Sequence, residues 1–320
     1  MSNSLSAPTQ GIMTPVHLLA GFLGTGKTTT LLQLLAQRPT TEKWAVIVNE
    51  FGEIGIDGVV LQQQDIEVRE ISGGCLCCTT GPQLPVTVTR LLRDYEPDRL
   101  FIETSGLAHL ATLVDQLKRP PLGNALAMQA VITLVDVRQF FDSQYRDHPV
   151  YRDQIQIADV LVASKTDLAS PEQLSAFEQE AAAMFPPKQA ILNIQHGHLG
   201  AEVLTMHTAS PAPSRYRPKL PSADNDISSC GWRFPAQQRF DTDRVARLFD
   251  QLPHLVTGLW RAKAVLYVHQ QRLWFNWSAG QWGVESVAWR GESRFELICR
   301  QAQDFSDLEA ALYACLVTDY

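Results

Sequence analysis

The residues whose types and spacing bear most directly on chemistry are the runs GFLGTGKT at 21–28 and GGCLCC at 73–78. The first matches G-x-x-x-x-G-K-[ST] in full, with an apolar strand-like run before it and a helical pattern after it. Glycines there let backbone N–H groups turn inward around a β-phosphate, where a Cβ would clash. The Lys27 ammonium would reach the β- and γ-phosphates, the Thr28 hydroxyl would ligate Mg2+, and the helix N-terminus would add its dipole. Gly21, Gly24, Thr25, Gly26, Lys27, Thr28 and Thr29 are therefore nucleotide-binding candidates. An accidental glycine turn is the competing explanation, and the strand–loop–helix order argues against it. The loop specifies a nucleoside triphosphate without choosing its base.

Three further polar clusters bear on that choice and on the metal. SKTD (164–167) resembles the N-K-x-D guanine motif, with Ser164 in place of Asn. The Asp167 carboxylate can accept from guanine N1–H and the exocyclic amine, donors that adenine lacks, so ATP would leave it unpaired. Lys165 would cover the base with its aliphatic stem. Without the Asn, a tether within the loop is expected to be missing. Taken alone, SKTD reads more readily as an ordinary polar loop with a helix cap; its place after a phosphate loop and at this strand end favours the guanine reading. Glu103 closes the apolar run LFIETSG, where an acidic residue commonly holds Mg2+, and Gly106 leaves room for the γ-phosphate. NEFGEIGID (49–57) holds Glu50, Glu53 and Asp57 beside two glycines. That composition suits a segment that orders around Mg2+ and γ-phosphate and relaxes after hydrolysis, or a charged surface loop.

GGCLCC holds three of the six cysteines. Cys75, Cys77 and Cys78 are too close for unstrained disulfides with one another. C-x-C-C offers three soft thiolates in a small volume, which suits Zn2+ or another thiophilic ion, with a buried apolar turn as the alternative. Cys230, Cys299 and Cys315 lie in apolar surroundings and read as core residues.

The elements that must position these groups follow from the apolar pattern. Runs at 16–22, 44–52, 98–106, 130–137 and 158–167 are continuously apolar, as strands buried on both faces should be, and helical patterns alternate with them. The expected fold is α/β, a doubly wound and mainly parallel sheet of the P-loop type, with functional groups at the C-terminal ends of strands. Ser170, Pro171 and Gln173 predict a capped helix start. Residues 1–14 read as a flexible tail, 15–207 as the nucleotide-binding domain, and 208–226, rich in Pro, Ser and Asp, as a linker. Residues 227–320 predict a smaller α+β domain. It holds six of the seven Trp, a helix at 243–252 with Val245, Leu248, Phe249 and Leu252 on its apolar face, and a helix at 306–316 opened by a Ser306–Glu309 capping box.

Composition sets the limits. A length of 320 residues suits two domains. A net charge of −7 argues against nucleic acid as the main partner. No run approaches the ~20 apolar residues of a membrane span, and the N-terminus lacks a basic start and an apolar core, so no membrane partner and a cytoplasmic location are expected. Thiols stay reduced in that compartment, which favours metal binding over disulfides.

Taken together, GFLGTGKT, NEFGEIGID, GGCLCC, IETSG and SKTD, with CGWRF (230–234) beyond, resemble in order and spacing the CobW-type GTPases, metal-handling relatives of the nickel-insertion GTPases of urease and hydrogenase maturation. The resemblance spans essentially the whole chain. It implies a Mg2+-dependent GTPase that binds zinc at C-x-C-C and hands it to a client metalloprotein. It places Lys27 at the phosphates, Thr28, Glu50 and Glu103 at Mg2+, Cys75, Cys77 and Cys78 at zinc, and Lys165 and Asp167 at guanine. Two departures stand out. Ser164 replaces the common Asn, and the family's His-rich tract is reduced to His196 and His198. Because the cysteines join two nucleotide-contacting loops, metal and nucleotide sites are expected to be coupled. Asp57 or Glu53 is the candidate to orient the attacking water. A P-loop ATPase or small-molecule kinase with a structural zinc site is the alternative, and monomer and homo-oligomer both stay open.

Overall fold

The first strand shows what builds the sheet. In Thr14–Gly21 (β1), Val16, Leu18, Leu19 and Ala20 are almost wholly buried although successive side chains point to opposite faces, so both faces must be covered. The structure, a computed structural model, describes residues 13–48, 66–70, 83–207, 214–216 and 228–317. The chain divides into two compact units, Met1–Ala183 with Lys188–Thr208, and Met184–Pro187 with Ala209–Tyr320.

In the first unit, β1 leads through the glycine loop into Lys27–Leu35 (α1). Trp44–Val48 (β2), Glu67–Glu70 (β3), Arg99–Glu103 (β4), Leu126–Met128 (β5), Ile132–Asp136 (β6), Val160–Ser164 (β7) and Ala190–Asn193 (β8) complete the sheet. Its order is β3-β2-β4-β1-β6-β7-β8, with β5 beside the start of β1, and the pairings are parallel. The helices between them are Gln83–Tyr95 (α2), Leu110–Lys118 (α3), Val137–Phe140 (α4), Ser143–Arg146 (α5), Pro149–Ile157 (α6) and Pro171–Ala182 (α7). One face of the sheet, with Leu19, Val46, Val48, Phe101, Ile132, Leu134, Val160 and Val162, packs on Leu31, Leu34 and Leu35 of α1. Each fully buried Leu or Val contributes about 1.5–3 kcal/mol, so this layer fixes where the strand ends lie. The predicted cap of α7 forms in full, with Ser170 accepting from the Gln173 N–H while the Gln173 side chain accepts from the Ser170 N–H.

The second unit is an antiparallel sheet of Ser214–Tyr216 (β9), Ser228–Phe234 (β10), Leu259–Val268 (β11), Gln271–Ser278 (β12), Gln281–Ser286 (β13) and Ser293–Cys299 (β14), in the order β13-β12-β11-β14-β10-β9. Thr242–Leu255 (α8) buries the expected face of Val245, Leu248, Phe249 and Leu252 against Trp232, Phe234, Phe275 and Phe295. Ser306–Ala314 (α9) adds Leu308 and Leu312. Cys230, Cys299 and Cys315 are buried free thiols of this core.

Two expectations need correction. Within the stretch read as a linker, β9 pairs with β10. It is held there because Arg215 donates to Cys230 Sγ at 3.0 Å and lies 5.6 Å from the Trp232 ring centre. The Ser306–Glu309 capping box is also absent. Asp304, two residues earlier, takes both the Ser306 N–H and its hydroxyl, so Phe305 occupies the cap position without a side-chain bond.

Candidate functional site

The site grows from the C-terminal ends of β1, β4, β6 and β7, adjacent strands in the order β4-β1-β6-β7. At the end of β1, Gly21 has φ +146°, and a Cβ there would sit 2.6 Å from both the Leu134 carbonyl oxygen and Thr25 Oγ1. Gly24 (φ +74°) and Gly26 (φ +92°) turn the loop back toward α1 through left-handed backbone. Thr25 bonds inward, its hydroxyl donating to the Phe22 carbonyl at 2.9 Å. The buried Lys27 ammonium lies inside the same curl and donates to the same carbonyl at 3.2 Å. The sequence thus folds into a ring of backbone around a lysine at a helix N-terminus, an arrangement suited to a polyphosphate.

Glu103, at the end of β4, is 4% exposed. Its Oε1 accepts from Thr28 Oγ1 at 2.6 Å. Two of the three residues expected to serve Mg2+, Thr28 and Glu103, therefore meet at the mouth of the loop. They present hard oxygen donors from adjacent strand and helix ends, a donor set that suits Mg2+ and not a thiophilic ion. Gly106 has a tighter constraint than room for a phosphate, because a Cβ would come within 2.8 Å of the Leu23 nitrogen and 3.0 Å of its Cα. The loop after β4 packs directly on the phosphate loop at that point. Buried Gln154 of α6 fixes it from behind, donating to the Gly106 and Ala108 carbonyls at 3.1 and 3.2 Å.

The third arm comes from the end of β7. Ser164 is buried, and its hydroxyl donates to the Thr25 carbonyl at 2.8 Å. Instead of a tether within its own loop, Ser164 supplies one to the phosphate loop, at the end of β1 on the far side of β6. Lys165 takes left-handed backbone (φ 53°, ψ 39°), donates through Nζ to the Gly24 carbonyl, and lies 3.4 Å from Asp136 Oδ2. Asp167 follows in a short 3-10 turn, exposed at the edge of the same surface. Thr29 is exposed one step along α1. The Gly197 turn after β8 comes so close to it that a Cβ would sit 3.0 Å from the Thr29 carbonyl carbon.

Two contributors went unread in the sequence. Asp136 ends β6 and is 1% exposed, with burial favouring its neutral acid; Arg138 and Lys165 beside it hold the carboxyl below the usual range. Phe22 packs edge-on against Tyr145, His148 and Tyr151, wedging the start of the loop against α5 and α6. An Asp closing an apolar strand is the same signal that identified Glu103 and could have flagged Asp136. Nothing in one dimension pointed to the aromatic wedge.

Glu50, Glu53, Asp57, Cys75, Cys77 and Cys78 lie outside the described residues. Among the described residues, no group of three or more His, Cys, Asp or Glu is placed to hold a metal ion, and no helix is long and apolar enough to cross a membrane.

The family profile described as CobW/HypB/UreG, nucleotide-binding domain, matches residues 15–192, and that of the cobalamin synthesis protein cobW C-terminal domain matches residues 229–316. Zinc chaperone YeiR of Escherichia coli is 33% identical over 327 aligned positions, covering 94% of this chain and 97% of that protein. Zinc chaperone CobW of Pseudomonas aeruginosa is 34% identical over 221 positions, covering 59% of each chain. A crystal structure of a Zn(II)-bound triple mutant of the YjiA GTPase superimposes with a TM-score of 0.52 at 23% identity, covering 95% of this chain and 99% of that one. That last likeness is one of fold.

Proposed function

The chain belongs to the CobW/HypB/UreG family, and on that premise we propose that it is a Mg2+-dependent GTP hydrolase that binds Zn2+ through Cys75, Cys77 and Cys78 and passes it to a client metalloprotein under control of the bound nucleotide. The observation that carries the nucleotide half is the Thr28–Glu103 hydrogen bond of 2.6 Å beside a loop that already encloses Lys27. The zinc half is supported by the C-x-C-C run and by the names of the relatives, each called a zinc chaperone.

In this reading the backbone N–H groups of 24–28 hold the β-phosphate and Lys27 spans the β- and γ-phosphates. Thr28, Glu103 and Glu50 hold Mg2+, whose charge, when it is bound, offsets that building on the phosphate oxygens. Asp57 or Glu53 orients the attacking water. Asp167 accepts from the guanine edge while the Lys165 stem lies along the base. The meeting of the Thr28 hydroxyl with the Glu103 carboxylate supports the preorganisation that phosphoryl transfer needs. No residue in the described site supplies an arginine finger, so slow intrinsic turnover, accelerated by a client, is the expected behaviour. The protein works with GTP and zinc as ligands, and nothing in its charge calls for nucleic acid.

The test is hydrolysis of GTP and ATP side by side in Mg2+, together with metal analysis of the purified chain. Preferential GTP turnover with stoichiometric zinc that disappears when the three cysteines are changed to Ser, the fold staying intact, supports the proposal. Equal turnover of both nucleotides removes the guanine assignment, and unfolding of the Ser variant makes the zinc structural.

A further inference from the structure

Asp136 has no part in the roles assigned so far, yet the geometry of the base-side loop runs through it. It ends β6, the strand lying between β1, which carries the phosphate loop, and β7, which carries SKTD, and it stands in register with Ser164. Both carboxylate oxygens are used. Oδ1 accepts from the Arg138 N–H at 3.1 Å and from Arg138 Nε at 3.0 Å, and Oδ2 accepts from Arg138 Nη2 at 2.7 Å. Lys165 Nζ lies 3.4 Å from Oδ2 and donates in addition to the Gly24 carbonyl.

We infer that Asp136 is a positioning residue of the guanine site, fixing Lys165. The inference rests on the proposed guanine reading of Lys165 and Asp167. Its physical content is a division of labour. Lys165 sits in left-handed backbone, which a lysine keeps only when its surroundings hold it. Ser164 clamps one side of that turn to Thr25, and the Thr166 hydroxyl clamps the other to the Ile194 carbonyl at 3.2 Å. Beyond its bond to the Gly24 carbonyl the ammonium faces solvent, since the side chain is 35% exposed. The fixed, buried carboxylate of Asp136 gives it a second, charged anchor. Arg138 forks onto the same carboxylate through Nε and Nη2, which keeps that carboxylate in place for Lys165. A lysine stem held in place meets the base in one geometry, whereas a mobile one must be ordered when the nucleotide binds.

The experiment uses the full chain in Mg2+ and reads GDP and ADP affinities by calorimetry. The proteins are the wild type, Asp136→Asn, Lys165→Met and the double variant. Asn keeps the size and helix-capping ability of Asp at this position and removes the charge. Asp136→Asn is expected to lower GDP affinity by about tenfold, and to add nothing to Lys165→Met in the double variant, because both changes act on one contact. A GDP affinity unchanged from wild type, or losses that add in the double variant, overturns the inference while leaving the guanine reading standing. A wild type that binds both nucleotides equally overturns the guanine reading and the inference with it. Arg138→Met tests the network without opening the buried carboxylate, should Asp136→Asn fold poorly. Severalfold loss of GDP affinity is expected, and an unchanged affinity overturns the inference.

Discussion

Thr28 and Glu103 stand 75 positions apart and meet at 2.6 Å, hydroxyl to carboxylate, at the mouth of the phosphate loop. Parallel pairing of β1 with β4 brings them together, since Leu19 and Glu103 are register partners. Thr28→Ala removes one hard oxygen donor and leaves the Glu103 carboxylate without this bond. GTP turnover in Mg2+ is expected to fall about a hundredfold in kcat/KM, or ~2.7 kcal/mol of transition-state stabilisation. Phosphate release measured across a Mg2+ series checks it; Thr28→Ala turnover within a few fold of wild type would remove the residue from the metal site.

Ser164 and Thr25 give a second prediction. The hydroxyl satisfies a buried carbonyl of the phosphate loop, so Ser164→Ala leaves that carbonyl unpaired at a cost of about 1–3 kcal/mol. Thermal unfolding should show the loss, and GDP affinity should weaken with it because the tethered loop is what binds the phosphates. An unchanged melting temperature would mean that the bond is replaced by water at no cost.

The glycines of the loop should differ in tolerance. Gly21→Ala places a methyl 2.6 Å from two oxygens in addition to its unfavourable φ, and is expected to cost more than ~2 kcal/mol and to abolish nucleotide binding. At Gly24 a Cβ meets nothing within 4 Å, so Gly24→Ala carries only the left-handed penalty of about 1–2 kcal/mol. Urea unfolding of the two variants compares them directly, and equal destabilisation would contradict the steric argument.

His17 makes stability depend on pH. It is 1% exposed, stacked at 5.0 Å on Phe101, with neither ring nitrogen hydrogen-bonded, and burial, with the Arg99 charge adding to it, pushes its pKa from 6.5 down to about 3. Between those values the unfolded chain binds a proton that the folded chain does not. Stability is therefore complete above the unfolded pKa and is lost as the pH falls toward the folded one, at on the order of 1 kcal/mol per pH unit. His17→Phe keeps the stacked ring and removes the titration. Its unfolding midpoint should fall less than that of wild type between about pH 7 and about pH 5; parallel falls would show that other groups carry the acid sensitivity.

The parts legible in the sequence were those where burial on both faces leaves a continuous apolar run ending in a polar group. β1, β4 and β7 have that form, and their ends hold Gly21, Glu103 and Ser164. β3 and β8 went unread because they are the edges of the sheet, and an edge strand such as Glu67–Glu70 needs no apolar run. The Ser164 tether went unread because the acceptor lies 139 positions away on a neighbouring loop, and only strand order brings the two together. Asp136 was hidden for a similar reason, since its role is set by cations on two different elements.

The central claim is that the nucleotide sets how tightly zinc is held. Its most direct measurement is the zinc affinity of the full chain by competition with a chelator, once with GDP and once with a nonhydrolysable GTP analogue. Reciprocal coupling predicts that the triphosphate state binds zinc more tightly by at least about fivefold. Equal affinities in the two states would contradict the account.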